Sequence, residues 1–438
     1  MPAEPGTITS FHQRLKTSQM DVLTWWHQCA DQIQQLEPDV SAWEALATEP
    51  PRLDKTLADQ PLYGVPIGIK DIIDTVDHPT MWGTGGYLRS STSLVDASLV
   101  TLLKQRGALI MGKTVSTEFA YYTPGKTRNP HDIERTPGGS SSGSAAAVAA
   151  GMVPIAFGTQ TAGSMIRPAS YCGVFGFKPT YNTLSAGGVR GFAPSLDTIG
   201  WFARSVEDIA TVFSSLTGAE DIQPLDSLAG IRIGVFSLPS NTMMDADVQR
   251  VLAEAEQVAS QAGAEIVSLD LGDDIECLVE QQQVVMAYEA ARTLASEYKK
   301  FSDQMGPKLV ELIEEGHTIG WRRYCDAMRA VAKARQSLSQ VFATQVDAIL
   351  AASATGEAPL GIKATGDSLY CRGWTLLGVP CLNLPIGKGS AGMPIGVQLI
   401  ADRWADEHLL AMASSLAVNA PAISSKTSPK TQDSPESA

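Results

Sequence analysis

Histidine is scarce in this sequence, cysteine occurs without a single C-x-x-C pair, and positive charge is in the minority. Each shortage excludes something. The six histidines (His12, His27, His78, His131, His317 and His408) fall in no recognisable triad or metal motif, so nothing points to a histidine base or a zinc site. The six cysteines (Cys29, Cys172, Cys277, Cys325, Cys371 and Cys381) are scattered. That argues against a disulfide framework or a metal cage and fits a reducing cytoplasm. Lysine and arginine number 33 against 47 aspartates and glutamates, a net charge of −14, and no window is basic enough to serve as a phosphate-binding face. No nucleic-acid partner is expected. No apolar run reaches the roughly 18–20 residues of a membrane helix, and the N-terminus shows no basic segment followed by an apolar one. Neither a membrane span nor a secretory signal is expected.

What is present suits a large folded enzyme: 438 residues, 44% hydrophobic and 18% charged. Apolar residues recur at helical spacing between Ile8 and Ala47 (Val22, Trp25, Trp26, Cys29, Ile33, Leu36), which predicts helices packed on a core. Val65 to Ile69, Ala108 to Met111 and Ile231 to Phe236 read as buried strands. Ser144 to Ala150 reads as a helix capped by Gly151, and residues 247–300 and 308–346 carry two long helical patterns. Strand and helix alternate, so the expected class is α/β, a mixed sheet flanked by helices. The expected organisation is an N-terminal helical segment over 1–60, one main domain over 61–421, and a disordered Ser/Thr/Pro/Lys-rich tail over 422–438.

The densest chemical signal is Pro137-Gly138-Gly139-Ser140-Ser141-Ser142-Gly143-Ser144, followed by Gly158-Thr159-Gln160-Thr161-Ala162-Gly163-Ser164. Glycine turns let backbone amides approach a ligand, and a serine on such a turn can face an oxyanion site. The plain alternative for a Gly/Ser cluster is a flexible linker. A helix former follows this one and apolar runs flank it, so it reads as part of a fold. Serine is a weak nucleophile without a base, and a lysine serves where burial disfavours its ammonium. Lys70, at the end of an apolar strand-like run, has that setting, although most lysines at strand ends are simply solvated.

These blocks resemble the amidase signature family. The resemblance begins at Gly64-Val65-Pro66-Ile67-Gly68-Ile69-Lys70-Asp71 and passes through Gly112-Lys113-Thr114, the two Gly/Ser turns, Gly173 to Thr180 and Ser195 to Gly200. It returns at Gly373 to Gly378 and Gly392 to Leu399. The resemblance implies a Ser-cisSer-Lys triad in which Lys70 is the base, Ser140, preceded by a cis peptide, the relay, and Ser164 the nucleophile. It also implies an oxyanion hole from the N–H groups of Thr161, Ala162, Gly163 and Ser164. Gly138, Gly139, Met81 and Tyr121 are the expected substrate contacts, with Trp82, Tyr122 and the 300–330 region as further pocket candidates. No metal and no cofactor are implied. Three positions depart from the family pattern: Ser142 and Ala162 replace usual glycines, and Gln160 replaces a frequent aspartate.

Weaker signals are set aside on physical grounds. Gly107 to Thr114 matches the P-loop pattern literally, but its four variable residues are themselves the strand-like run and could not wrap phosphate. Cys172 reads as a small buried thiol with no histidine partner, and Asp402, Asp406, Glu407 and His408 as a solvated face without metal-ligand spacing. Three functions therefore stand: hydrolysis of a small-molecule amide by a stand-alone enzyme, the glutaminase subunit of an aminoacyl-tRNA amidotransferase, and, for the P-loop match alone, a nucleotide-binding protein. The block Thr365-Gly366-Asp367 and Gln160 look more like the stand-alone enzymes. A homodimer is left open.

Overall fold

A computed structural model describes residues 6–88, 92–236, 244–269, 271 and 277–419. The expected disordered tail lies outside them. Among the described residues eleven strands form one sheet: β1 (Trp43–Leu46), β2 (Pro66–Lys70), β3 (Leu109–Thr114), β4 (Ile155–Gln160), β5 (Phe175–Lys178), β6 (Thr198–Ala203), β7 (Arg232–Val235), β8 (Glu265–Ser268), β9 (Ala348–Ala352), β10 (Cys381–Lys388) and β11 (Pro394–Ile400). Their order is β1-β3-β2-β4-β6-β5-β10-β11-β9-β7-β8. β2 runs parallel to β3 and β4, and β7 parallel to β8 and β9, while the strands between these two groups pair antiparallel. The mixed α/β class is as the sequence led us to expect.

Two cores explain why strands in this sheet read as continuous apolar runs. Successive strand side chains point to opposite faces. In β9, Ala348, Leu350 and Ala352 join the core shared with the N-terminal helices, whereas Ile349 and Ala351 join the core beneath helices 278–293, 307–318, 321–344 and 369–377. Every residue of β2, β3 and β4 is buried. Helices on both faces remove the polar-out alternation a one-sided sheet would show.

The N-terminal stretch is less helical than its periodicity suggests. After helices Ile8–Lys16 and Thr24–Val40, β1 adds an antiparallel edge strand to β3 with a bulge between Trp43 and Ala45. Gly112 permits that approach: its φ is +152°, and a Cβ there would lie 2.1 Å from the Ala45 carbonyl oxygen. Nor is 247–300 one helical run. The helix Ala246–Gln261 ends before Gly263, whose φ is +101°, and the β-branched pair Ile266-Val267 then pairs with β7 as β8. The 308–346 pattern likewise divides at Gly320 into Pro307–Thr318 and Trp321–Thr344.

Candidate functional site

Four segments meet at the ends of β2 and β4. Lys70 is the last residue of β2 and is wholly buried. Its Nζ donates to Ser140 Oγ at 2.7 Å and to Thr159 Oγ1, on β4, at 3.0 Å. Both partners are hydroxyls, so desolvation dominates and holds the lysine well below its ordinary pKa, opposed only by the more distant charge of Asp197. Burial pushes the Asp197 carboxyl up to about 6, although it accepts bonds from the N–H groups of Phe192 and Ala193 and from Thr161 Oγ1 at 2.6 Å.

The first Gly/Ser turn is a packed element, not a linker. The Gly139–Ser140 peptide is cis. Gly138 has φ +82°, and a Cβ on Gly139 would come within 2.8 Å of Thr365 Cγ2, so both positions need the bare backbone. Ser141 Oγ donates to the Thr159 carbonyl and accepts its N–H, Ser142 Oγ donates to the Val115 carbonyl, and Ser144 Oγ donates to the Phe157 carbonyl at 2.8 Å. Ser142, the first departure from the family pattern, thus gains a hydrogen-bond partner at the start of helix Ser142–Ala149.

Ser164 stands in the turn between β4 and helix Ile166–Cys172. Gln160, the second departure, organises this turn: its Oε1 accepts from the N–H groups of Met165 (2.8 Å) and Ile166 (3.1 Å), and its Nε2 donates to Thr375 Oγ1 at 2.9 Å. The turn's carbonyls are held from outside. Gln282 Nε2 donates to Thr161 O, Thr375 Oγ1 to Ala162 O at 2.7 Å, and the Arg167 N–H to Gly163 O.

A cleft enclosing about 400 Å³, its open mouth included, brings together Ser140, Ser164, Thr161, Ala162 and Tyr121. Of the remaining expected residues, Tyr122 lines it too, whereas Gly138, Gly139, Gly163, Met81 and Trp82 do not. Met81 turns its N–H to the buried Asp71 carboxylate. No residue of 300–330 lines the cleft either; Phe192, Met286, Thr365, Ser368, Arg167 and Arg372 supply its walls. Sequence reading missed most of these because they come from distant segments; Arg167 lies just three residues beyond Ser164 but carried no motif, and only Thr365 belonged to a block already singled out.

The rejected motifs find structural explanations. Leu109 to Thr114 form β3, and Lys113 is buried with Nζ bonded to the Ile73 carbonyl and Thr80 Oγ1, both at 2.7 Å. The lysine faces the interior. Cys172 is fully buried, and burial pushes its thiol upward. Asp406 corrects the expectation of a solvated face: it is buried and accepts from the N–H and hydroxyl of Thr180. Among the described residues no His/Cys/Asp/Glu group could hold a metal, and no helix is long and apolar enough to cross a membrane.

A family model described as Amidase matches residues 26–410. The chain belongs to the amidase family. As an amidase it is an enzyme that hydrolyses amide bonds. A glutamyl-tRNA(Gln) amidotransferase subunit from Oleidesulfovibrio alaskensis is 32% identical over 88% of this amidase and 91% of the relative. The solved structure of the same-named subunit from Thermotoga maritima superposes with a TM-score of 0.82 at 28% identity, covering 95% of each chain. The peptide amidase from Stenotrophomonas maltophilia superposes at 0.78 with 25% identity, covering 96% of this chain and 98% of that one.

Proposed function

We propose that this amidase cleaves its substrate through an acyl-enzyme on Ser164, with Ser140 as proton relay and Lys70 as base. The observation that carries the reading is the 2.7 Å contact between a wholly buried lysine and the Ser140 hydroxyl. In neutral form Lys70 takes a proton from Ser140 as Ser140 takes one from Ser164, and the Ser164 oxygen adds to the amide carbon. The same path returns the proton to the nitrogen, the C–N bond breaks, and ammonia or an amine leaves. Water then adds to the ester, its proton moves to Lys70 through Ser140 and back to Ser164, and the carboxylic acid departs.

The oxyanion would be held by N–H groups of the 161–164 turn. A trans peptide points its N–H opposite its C=O. Because the carbonyls of Thr161, Ala162 and Gly163 are each bonded to a group outside the turn, the N–H groups of Ala162, Gly163 and Ser164 point away from those partners. Side-chain size is immaterial to such a donor, so Ala162 serves as a glycine would. Gly138, Gly139, Met81 and the Thr161 N–H have less support as direct contacts than Tyr121, which lines the cleft.

A second reading concerns the setting of this chemistry. The curated relatives, including those from Oleidesulfovibrio alaskensis and Geobacter, carry the name of an amidotransferase subunit, which supports the glutaminase-subunit reading ahead of a stand-alone enzyme. Copurification of partner subunits with ATP-dependent transfer of ammonia from glutamine would establish it. We infer a cytoplasmic setting from the scattered cysteines of the sequence, which form no C-x-x-C pair. The catalytic reading is tested by ammonia release: Ser164→Ala and Lys70→Ala each lower kcat by several orders of magnitude, and the double variant is little worse than either. A Lys70→Ala enzyme with near wild-type kcat would overturn it.

A further inference from the structure

The cleft around Ser164 carries two guanidinium groups, Arg167 and Arg372, and none of the described residues lining it has a carboxylate. Both arginines are withdrawn from water, at 4% and 8% exposure. Arg167 is committed to the relay turn: one amino group donates to the Gly139 carbonyl at 2.5 Å and to Thr365 Oγ1 at 3.3 Å. Arg372 is differently placed. Its Nε donates to Ser368 Oγ at 3.2 Å and one amino group to the Tyr122 hydroxyl at 3.1 Å, both neutral partners from the cleft lining. The nearest carboxylate, Asp367, stands at 3.7 Å, is 56% exposed, and already accepts the Leu369 N–H. Five donors in a planar fork suit a carboxylate, and here no carboxylate of the described residues meets the fork at hydrogen-bond distance.

We propose that Arg372, flanked by the Tyr122 hydroxyl, receives a carboxylate on the substrate, so that the amide hydrolysed bears a free acid and no ammonium beside it. The inference rests on the reading of Ser164 as nucleophile. It goes further by naming the substrate class, and on this point the charge of the cleft runs against the glutaminase setting that the relatives' names support: glutamine brings an ammonium for which the described lining has no acidic partner, whereas a plain acid amide matches the charge of the cleft.

The test compares kcat/KM on succinamic acid, its methyl ester, glutamine, and the pair N-acetylglycine and its methyl ester, which moves the acid to the amine side. The pair with the larger acid-to-ester ratio identifies the side that Arg372 reads. In the wild type at least one acid exceeds its ester tenfold or more, and succinamate exceeds glutamine. Arg372→Gln brings the acid-to-ester ratio down at least tenfold, chiefly through KM, and Tyr122→Phe lowers it by a smaller factor. Equal turnover of acid and ester by the wild type, or the same ratio in Arg372→Gln, would overturn the proposal, as would glutamine outrunning succinamate. If Arg372→Gln does not fold, as read by its melting curve, Tyr122→Phe decides by the same ratio. Failure of the Ser164 mechanism is distinguishable. Ser164→Ala would then keep its turnover of amides, while calorimetry would still detect succinate binding to the wild type, weakened at least tenfold in Arg372→Gln and by a smaller factor in Tyr122→Phe.

Discussion

Gln160 offers the sharpest test of how the nucleophile turn is built. Its amide closes three hydrogen bonds: it accepts from the Met165 and Ile166 N–H groups and donates to Thr375 Oγ1, which in turn contacts the Ala162 carbonyl. Gln160→Leu keeps the volume roughly but strands two buried N–H groups. At about 1–3 kcal/mol for each unsatisfied group, the expected loss of stability is about 2–6 kcal/mol. Thr375→Val removes the hydroxyl between Gln160 and Ala162, at an expected cost of about 1–2 kcal/mol. Both changes loosen the Ala162 peptide. A complete loss of one oxyanion donor costs about 3–4 kcal/mol, so partial misplacement should lower kcat roughly 10- to 100-fold, with KM moving less. Equilibrium urea unfolding at constant slope gives the stabilities, and steady-state ammonia release gives kcat. Because the two residues share a bond, the double variant should fall short of additivity by about 0.5 kcal/mol or more. A Gln160→Leu enzyme within about 0.5 kcal/mol of wild type would refute the account, since surface changes cost no more than that. Strict additivity with Thr375→Val would refute the shared bond.

Two further outcomes follow. Lys70, held well below its ordinary pKa by burial, binds fewer protons in the folded chain than in the unfolded one between that lowered value and 10.5. Its contribution therefore makes stability rise with pH across that window, and kcat/KM rises as the lysine becomes neutral; in Lys70→Met the Lys70 share of the stability slope, read by urea unfolding at a series of pH values, should vanish, and its persistence would show that other groups carry it. Gly112→Ala would force a Cβ against the Ala45 carbonyl oxygen at a φ of +152°, so β1 should detach or shift, with a cost of about 1–3 kcal/mol by urea unfolding; a neutral result would contradict the close approach described for β1 and β3.

Local patterns proved legible where one segment decides the outcome. Val65 to Ile69 announced a buried strand because both faces of β2 are covered, and the helix after Ser142 followed from its alanines. β8 was hidden because it has only four residues, with Ile266 and Val267 as its only large apolar positions, and it continues the polar spacing of the preceding helix. Parallel pairing with β7 stabilises it, and nothing local records that partner.

The site divides along the same line, with a consequence for how its residues can be found. Lys70 and Ser140 are 70 positions apart, yet their atoms lie 2.7 Å from each other. No spacing rule joins them, and only family resemblance pointed to the pair. Where resemblance carried less weight, as with Met81 and the 300–330 region, the expected pocket walls proved to be elsewhere. Met286 and Arg372 reach the cleft because helices 278–293 and 369–377 pack together beneath the sheet, a tertiary fact with no local signature. The parts that carry the family resemblance are those we propose to polarise and break the amide. The guanidinium that would choose among amides comes instead from the wall formed by helix 369–377, where one substitution can change charge without disturbing Lys70, Ser140 or Ser164. Substrate choice in this amidase is therefore better read from the charges that line its cleft than from the motifs that identify its chemistry.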